Sequence, residues 1–143
     1  MILTEKFVRE KIIDWLSRKG YSRRLQIKGE SEHGIDIKVR HNRYPRYYIV
    51  EVKGDPDPKK VKHLGSRREV SFIYVLGQIV SRMGYKAKYL YAIGLPESYS
   101  DKVFRRLPWQ LCKKLRLNAF LVNKNGKVKC ISWKELKNYQ SQR

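Results

Sequence analysis

The run Gly34-Ile35-Asp36-Ile37-Lys38-Val39-Arg40, followed after a polar turn by Tyr47-Tyr48-Ile49-Val50-Glu51-Val52-Lys53-Gly54, decides how this chain is read. Both runs are rich in β-branched and aromatic residues, and His41, Asn42, Arg43, Tyr44, Pro45 and Arg46 between them suit a turn. Residues 35–40 and 47–53 are therefore expected to pair as a β-hairpin. Side chains alternate across a strand, so Ile35, Ile37 and Val39 share one face with Val50 and Val52. Asp36, Lys38 and Arg40 share the other with Ile49, Glu51 and Lys53. A turn centred near Arg43 and Tyr44 sets Asp36 opposite Glu51, and two carboxylates and an ammonium group are expected to meet on one patch.

Two ionised carboxylates about 5 Å apart across a strand pair repel one another. A divalent cation between them, or the Lys53 ammonium beside them, relieves that repulsion. Oxygen donors of this kind suit Mg²⁺ or Mn²⁺. The chemistry implied is metal-assisted phosphodiester hydrolysis, with Lys53 orienting the attacking water or stabilising the developing charge. The plainer alternative is a charged sheet surface on which Asp36 and Glu51 neutralise basic neighbours.

Composition names the substrate class. The 143 residues carry 33 Lys and Arg against 13 Asp and Glu, a net charge of +20 that makes a strong field for polyanions, nucleic acid first among them. The basic residues divide 18 before Phe72 and 15 after it, which describes a basic globule and not a neutral domain with a basic tail. Hydrophobic residues make up 41% of the chain, enough for one compact domain over residues 1–143. No apolar run approaches the roughly 20 residues that span a bilayer. The amino terminus carries Glu5, Lys6, Arg9 and Glu10, unlike a secretory signal, so the expectation is a cytoplasmic protein without membrane contact. Cys112 and Cys130 stand apart from one another and from any His, which supports neither a zinc module nor a disulfide scaffold.

Outside the hairpin, Phe7, Val8, Ile12, Trp15 and Leu16 gather on one face of a helix over residues 4–19, with Thr4 as N-cap and Gly20 as stop. Gly54-Asp55-Pro56-Asp57-Pro58 breaks regular structure. A second helix is expected over residues 66–83, with Phe72, Ile73, Leu76, Ile79, Val80 and Met83 in its apolar stripe and Gly84 closing it. Residues 89–95 are apolar almost throughout and read as an interior strand ended by Pro96. A third helix over residues 100–117, interrupted near Pro108, precedes a second hairpin around Asn125-Gly126. This order describes an α/β or α+β fold, a mixed central sheet flanked by helices.

Gly34-Ile35-Asp36, a turn, and Ile49-Val50-Glu51-Val52-Lys53-Gly54 resemble the core motif of the PD-(D/E)xK, or restriction-endonuclease-like, nucleases. Asp36 matches the family aspartate, Glu51 the second acidic residue and Lys53 the lysine, while Ile35 replaces the motif's proline. Over the first 54 residues, the acidic first helix, Gly20, Asp36, Glu51 and Lys53 resemble the layout of archaeal Holliday-junction resolvases. From Glu51 onward, Leu76-Gly77-Gln78, Tyr89-Leu90-Tyr91-Ala92-Ile93, the segment through Phe104 and Leu115, and Ile131-Ser132-Trp133 are similar in order to the fdxN-element excision-controlling-factor family. The resemblance implies a restriction-endonuclease-like fold and a Mg²⁺- or Mn²⁺-dependent DNA endonuclease acting on branched or recombination-related DNA. Asp36 and Glu51 are then metal ligands and Lys53 the catalytic ammonium.

The family pattern places a further acidic residue on the first helix. Glu5 lies within the arc of Val8, Ile12 and Leu16 and Glu10 outside it, so Glu5 is the candidate, against a helix-dipole role for the same residue. Gln78 shares a polar helix side with Arg67, Ser71, Tyr74, Arg82 and Tyr85 and matches a helical Gln that positions substrate or water in related nucleases, against a merely solvated face. Lys59, Lys60, Lys62, Arg67, Arg68, Tyr74 and Arg82 are the candidate nucleic-acid contacts. His33 is placed at the cleft rim, His41 and His63 in loops, and Tyr44, Tyr47 and Tyr48 either stack on bases or cover the sheet. One site cuts one strand, so a two-fold homodimer is expected, its surface sought in the exposed part of residues 107–117. A rival reading is a nucleic-acid-binding or regulatory module that keeps the nuclease fold without turnover and works with a recombination or repair partner.

Overall fold

In the computed structural model, residues 2–24, 35–84 and 88–142 are described. Helix α1 (Glu5–Arg18) starts where the Thr4 side chain accepts a hydrogen bond from the Phe7 amide at 3.1 Å. Its buried face is Val8, Ile12 and Leu16, each at 1% exposure or less, a burial that contributes roughly 1.5–3 kcal/mol per side chain. The chain turns away at Gly20, whose φ of 96° and close approach to the His41 ring leave no room for a side chain. An isolated bridge from Tyr21 to His41 ties this end to the first hairpin.

That hairpin is β1 (Ile37–Arg40) and β2 (Tyr47–Val52), antiparallel, with Ile37 paired to Val50 and Arg40 to Tyr47. Helix α2 (Leu64–Ser81) carries the chain to β3 (Tyr89–Pro96), which lies parallel to β2. A short 3₁₀ turn leads into α3 (Ser100–Arg106) and α4 (Trp109–Leu115), followed by β4 (Leu117–Val122), parallel to β3, and β5 (Val128–Ile131), antiparallel to β4. Helix α5 (Trp133–Gln140) closes the described chain. The sheet order is β1-β2-β3-β4-β5, an α+β architecture with a five-stranded mixed sheet flanked by helices. Among the described residues no helix is long and apolar enough to cross a membrane.

The sheet separates two cores. On one face α1 packs on Ile37, Val39, Tyr48, Val50, Val52, Ala92 and Phe120. On the other, Phe72, Val75 and Ile79 of α2 join Ile49, Tyr91, Ile93, Leu95, Leu117 and Leu136. Strands covered on both sides are buried continuously, as β3 is from Tyr91 to Pro96. Cys112 is buried, Cys130 partly so, and both are free; burial pushes the first thiol up to about 12 and the second to about 11, so neither ionises readily at neutral pH.

Several expectations are corrected. Ile35 packs with the α2 core and not with Ile37, because the chain bends at Asp36 and breaks the two-residue alternation there. Ile73 and Val80 do not belong to the buried stripe of α2: they are 50% and 48% exposed, and Phe72, Val75 and Ile79 face the sheet. The interruption expected near Pro108 in the helix over 100–117 is present, as a break at Leu107 and Pro108 between two helices, but the second ends at Leu115, and Arg116, in the left-handed region at φ 57°, turns the chain into β4. Pro96 is the last residue of β3 and not its stop, and Arg82, not Gly84, caps α2. Helix α5 has no counterpart in the expected order, although Ser132-x-x-Glu135 is a capping box whose side chains bond each other's backbone ends. Ser132→Ala is expected to lower the stability of the domain by about 1 kcal/mol, read as a lower urea midpoint at unchanged slope.

Candidate active site

The site is built where the hairpin leaves the sheet. Extending the register by one pair from Ile37 and Val50 sets Asp36 against Glu51. The two are interlocked through the main chain: the Asp36 amide donates to Glu51 Oε2 at 3.0 Å, and the Val52 amide donates to Asp36 Oδ2 at 2.8 Å. Each carboxylate thus has one oxygen fixed by a backbone N–H and a second oxygen, Asp36 Oδ1 or Glu51 Oε1, outside that pair of bonds. Among the described residues Glu51 is the charged side chain that the fold buries, at 0% exposure. Burial pushes its carboxyl up, the Asp36 amide and the Arg82 guanidinium pull it down, the Asp36 charge raises it further, and the net direction is upward.

Helix α2 supplies the cation. Arg82 Nη2 lies 3.5 Å from Glu51 Oε1, a long ion pair. Gln78, one turn earlier, is half-buried, and its Oε1 is a buried acceptor without a hydrogen-bond partner. An orphaned acceptor costs about 1–3 kcal/mol unless a water or another donor satisfies it. Lys53 follows β2, its amide donating to the Gly94 carbonyl at 3.0 Å and its Nζ sitting 4.6 Å from the centroid of the exposed Tyr74 ring.

Glu5 is brought to the same place by a clasp. The Leu3 amide donates to Asp55 Oδ2 at 3.0 Å and the Asp55 amide donates to the Leu3 carbonyl at 2.8 Å. Ser98 Oγ donates to Asp55 Oδ1, and Arg68 Nε stands 4.0 Å from the same oxygen. At Gly54 an added Cβ would lie 2.4 Å from the Glu5 nitrogen, so the start of α1 rests directly on this glycine. Glu5 ends within electrostatic reach of Asp36 and Lys53: burial and the Asp36 charge push its carboxyl up, and Lys53 and Arg9 oppose them. Its side chain remains 43% exposed and pairs with Arg9 at 3.8 Å. Glu10 is exposed on another side of α1.

Asp36, Glu51, Lys53, Glu5, Tyr74, Gln78 and Arg82 therefore belong to one region, while the other expected contacts separate from it. Lys59, Lys60, Lys62 and Arg67 are exposed on the segment after β2 and the first turns of α2. No ion pair joins their side chains to Asp36, Glu51 or Glu5 among the described residues. Arg68 stands beside the Asp55 clasp, and Arg82 pairs with Glu51. Tyr48 is buried and accepts a hydrogen bond from Asn118 Nδ2 at 2.6 Å, and Tyr47 stacks on Tyr89, so the sheet and not a base receives these rings. Tyr44 packs against His41, and His63 precedes α2 without a side-chain cap bond. His33, Gly34 and Tyr85 lie outside the described residues. Asp55 and Ser98 were not anticipated as parts of the site; the signal was an Asp placed directly after the Glu51-Val52-Lys53-Gly54 run in a chain with few acids.

Among the described residues no three of His, Cys, Asp or Glu are grouped closely enough to form a complete metal cage. Mg²⁺ does not need such a cage, since it keeps several waters and takes one or two carboxylates together with substrate phosphate. Asp36 and Glu51, each with a second oxygen beyond its backbone bond, fit that donor set. Comparison with protein-family models, with curated proteins and with solved structures gave no match to this chain.

Proposed function

We propose that the chain is a Mg²⁺- or Mn²⁺-dependent DNA endonuclease of the PD-(D/E)xK type, with a restriction-endonuclease-like fold, working as a homodimer on branched or recombination-related DNA. The observation that carries this reading is the interlocked pair: two carboxylates held by each other's strand backbone, with the Lys53 ammonium following on the same strand, on a chain of charge +20. A chain selected only to bind a polyanion gains nothing from gathering two carboxylates at one point of its sheet. Asp36 and Glu51 would hold the ion, which when bound polarises a phosphodiester and acidifies a water. Lys53, steadied by the Tyr74 ring, would stabilise charge as it develops on the phosphate, and the Gln78 carbonyl oxygen would orient a water by accepting a hydrogen bond from it. Glu5 tunes the field at this point through Asp36 and Lys53.

The deciding experiment is a nicking assay on a panel of linear, flapped and four-way-junction DNAs with and without Mg²⁺. Cleavage that needs the ion and disappears in Asp36→Ala supports the reading, and equal cleavage by Asp36→Ala, Glu51→Ala and Lys53→Ala ends it. Metal affinity should also depend on pH in a defined direction. Because the Glu51 carboxyl is raised by burial, protons compete with the cation at a pH above the usual carboxylate range. Mn²⁺ binding measured by calorimetry is expected to be full above the raised value and to weaken as pH falls through it.

One contact favours the rival reading of a binding module without turnover. Arg82 already places a positive group 3.5 Å from Glu51 Oε1 and neutralises the buried charge without an ion. No detectable Mn²⁺ heat in either the wild type or Asp36→Ala would favour that module.

A further inference from the structure

We propose that the face formed by α4 and α5 is a second nucleic-acid contact, a phosphate-backbone clamp built from Lys113, Lys134 and Lys137 on the rings of Trp109 and Trp133. The clamp rests on the nucleic-acid reading of the chain but uses none of the residues around Glu51. Lys113 Nζ lies 4.7 Å and Lys134 Nζ 5.9 Å from the Trp133 centroid, and Lys137 Nζ lies 4.9 Å from that of Trp109. The two indoles stand 6.0 Å apart at 32°. Three exposed ammonium groups are thereby gathered on one pair of rings, each held by the negative face of an aromatic system.

What distinguishes these lysines on a chain rich in them is that the three share one pair of neighbouring indoles. Lys102, Arg105 and Arg106 in the preceding helix each pair with a carboxylate, whereas Lys113, Lys134 and Lys137 have no carboxylate within ion-pair distance among the described residues. Glu135, the acid nearest in sequence, is turned back onto its own helix start, where Ser132 N and Ser132 Oγ donate to its Oε2. The rings limit the freedom of the ammonium groups, so less side-chain entropy is lost on binding phosphate. The platform is firm as well. Gln140 accepts from the Trp109 amide and donates to the carbonyls of Phe104 and Leu107, fastening α5 to the α3–α4 turn. Trp133, Lys134, Glu135, Lys137, Asn138 and Ser141 line a concavity of about 550 Å³ beside the clamp, and the ligand class proposed for it is the sugar–phosphate backbone of a duplex, met by the two lysines.

The clamp sits toward the β5 edge of the sheet and the acidic pair at β1 and β2, three strand spacings or roughly 15 Å apart across the strands. That separation lies well within one turn of duplex, about 34 Å, so a substrate centred on the acidic pair has a second place to rest.

The test is the salt dependence of binding to a 20-base-pair duplex without metal, using the full chain. Each lost phosphate contact lowers the slope of log K against log salt by about 1, so Lys113→Gln, Lys134→Gln and Lys137→Gln together should lower it by about 2–3. Removing the same charge from the second hairpin with Lys124→Gln, Lys127→Gln and Lys129→Gln should leave the slope nearly unchanged. Footprinting of the unmutated chain by lysine acetylation gives an independent reading: duplex should protect Lys113, Lys134 and Lys137 several-fold more than Lys124, Lys127 and Lys129. Equal slopes in the wild type and the first triple variant, equal falls in both triple variants, or equal protection of the two groups would each overturn the clamp. Metal-dependent nicking is scored separately, so a wild type that nicks but shows no clamp fails only this inference. A clamp on a chain that never nicks fails only the catalytic reading.

Discussion

Glu51→Gln is expected to stop Mg²⁺-dependent nicking, a loss on the order of 10³-fold or more, while leaving the metal-free protein as stable as the wild type or more so. The two halves of this expectation have one cause. Glu51 is buried, and its carboxyl titrates above the ordinary value, so its ionised form is disfavoured in the folded chain. A group with a raised folded-state value imposes its penalty fully above that value and releases it as pH falls to the unfolded-state value. The thermal-midpoint advantage of the Gln variant should accordingly be largest near neutrality and shrink as pH falls from the raised value to the usual glutamate value. Gln still accepts from the Asp36 amide, so the interlock with β1 survives. Added Mg²⁺ should raise the midpoint of the wild type, by about 2.7 kcal/mol of stabilisation at a hundred times the dissociation constant, and leave the variant unmoved. A variant that nicks as fast as the wild type would falsify the assignment of Glu51.

Gly54→Ala is expected to be the most damaging single-methyl change near the site. The new Cβ would stand 2.4 Å from the Glu5 nitrogen, 2.7 Å from the Thr4 carbonyl carbon and 2.9 Å from the Leu3 oxygen. All three are backbone atoms, so no rotamer change relieves the clash. The start of α1 must lift from the sheet, breaking the Leu3–Asp55 bonds and withdrawing Glu5 from Asp36 and Lys53. A loss of about 1–3 kcal/mol or more is expected in urea unfolding, together with weaker Mn²⁺ binding. Gly65→Ala is the matched control, because a Cβ there meets nothing within 4 Å and the position is helical. It should be neutral or stabilising by up to about 1 kcal/mol.

The parts of the fold governed by local rules were legible in the sequence. Thr4 and Gly20 bound α1 because capping and left-handed φ are decided within a few residues. The pairing of Asp36 with Glu51 followed from a hairpin whose alternation allows one register. Rotation of α2 was not legible, and the reason lies in the site. An apolar stripe through Ile73 and Val80 would satisfy the helix considered alone. The structure instead pairs Arg82 with the buried Glu51, buries the Gln78 side-chain oxygen, and leaves Val70, Ile73 and Val80 at 56%, 50% and 48% exposure. A charge buried in the sheet needs a polar neighbour more than the helix needs two further apolar contacts, and periodicity counts only the latter. The Asp55 clasp was equally out of reach, since it joins residues 52 positions apart through atoms that no pattern of side chains describes.

That separation bears on when the site comes into being. Loops of such length close late compared with helices and hairpins, so β1 and β2 can form with Asp36 and Glu51 already interlocked while α1 is still undocked. Amide exchange should then show the Leu3 and Asp55 protons opening together as one cooperative unit, at lower free energy than the amides of Asp36 and Val52. A cation that draws Glu5, Lys53 and the carboxylate pair into one field would slow exchange at Leu3 from the far end of the clasp, making the first turn of the chain a reporter of occupancy at the hairpin.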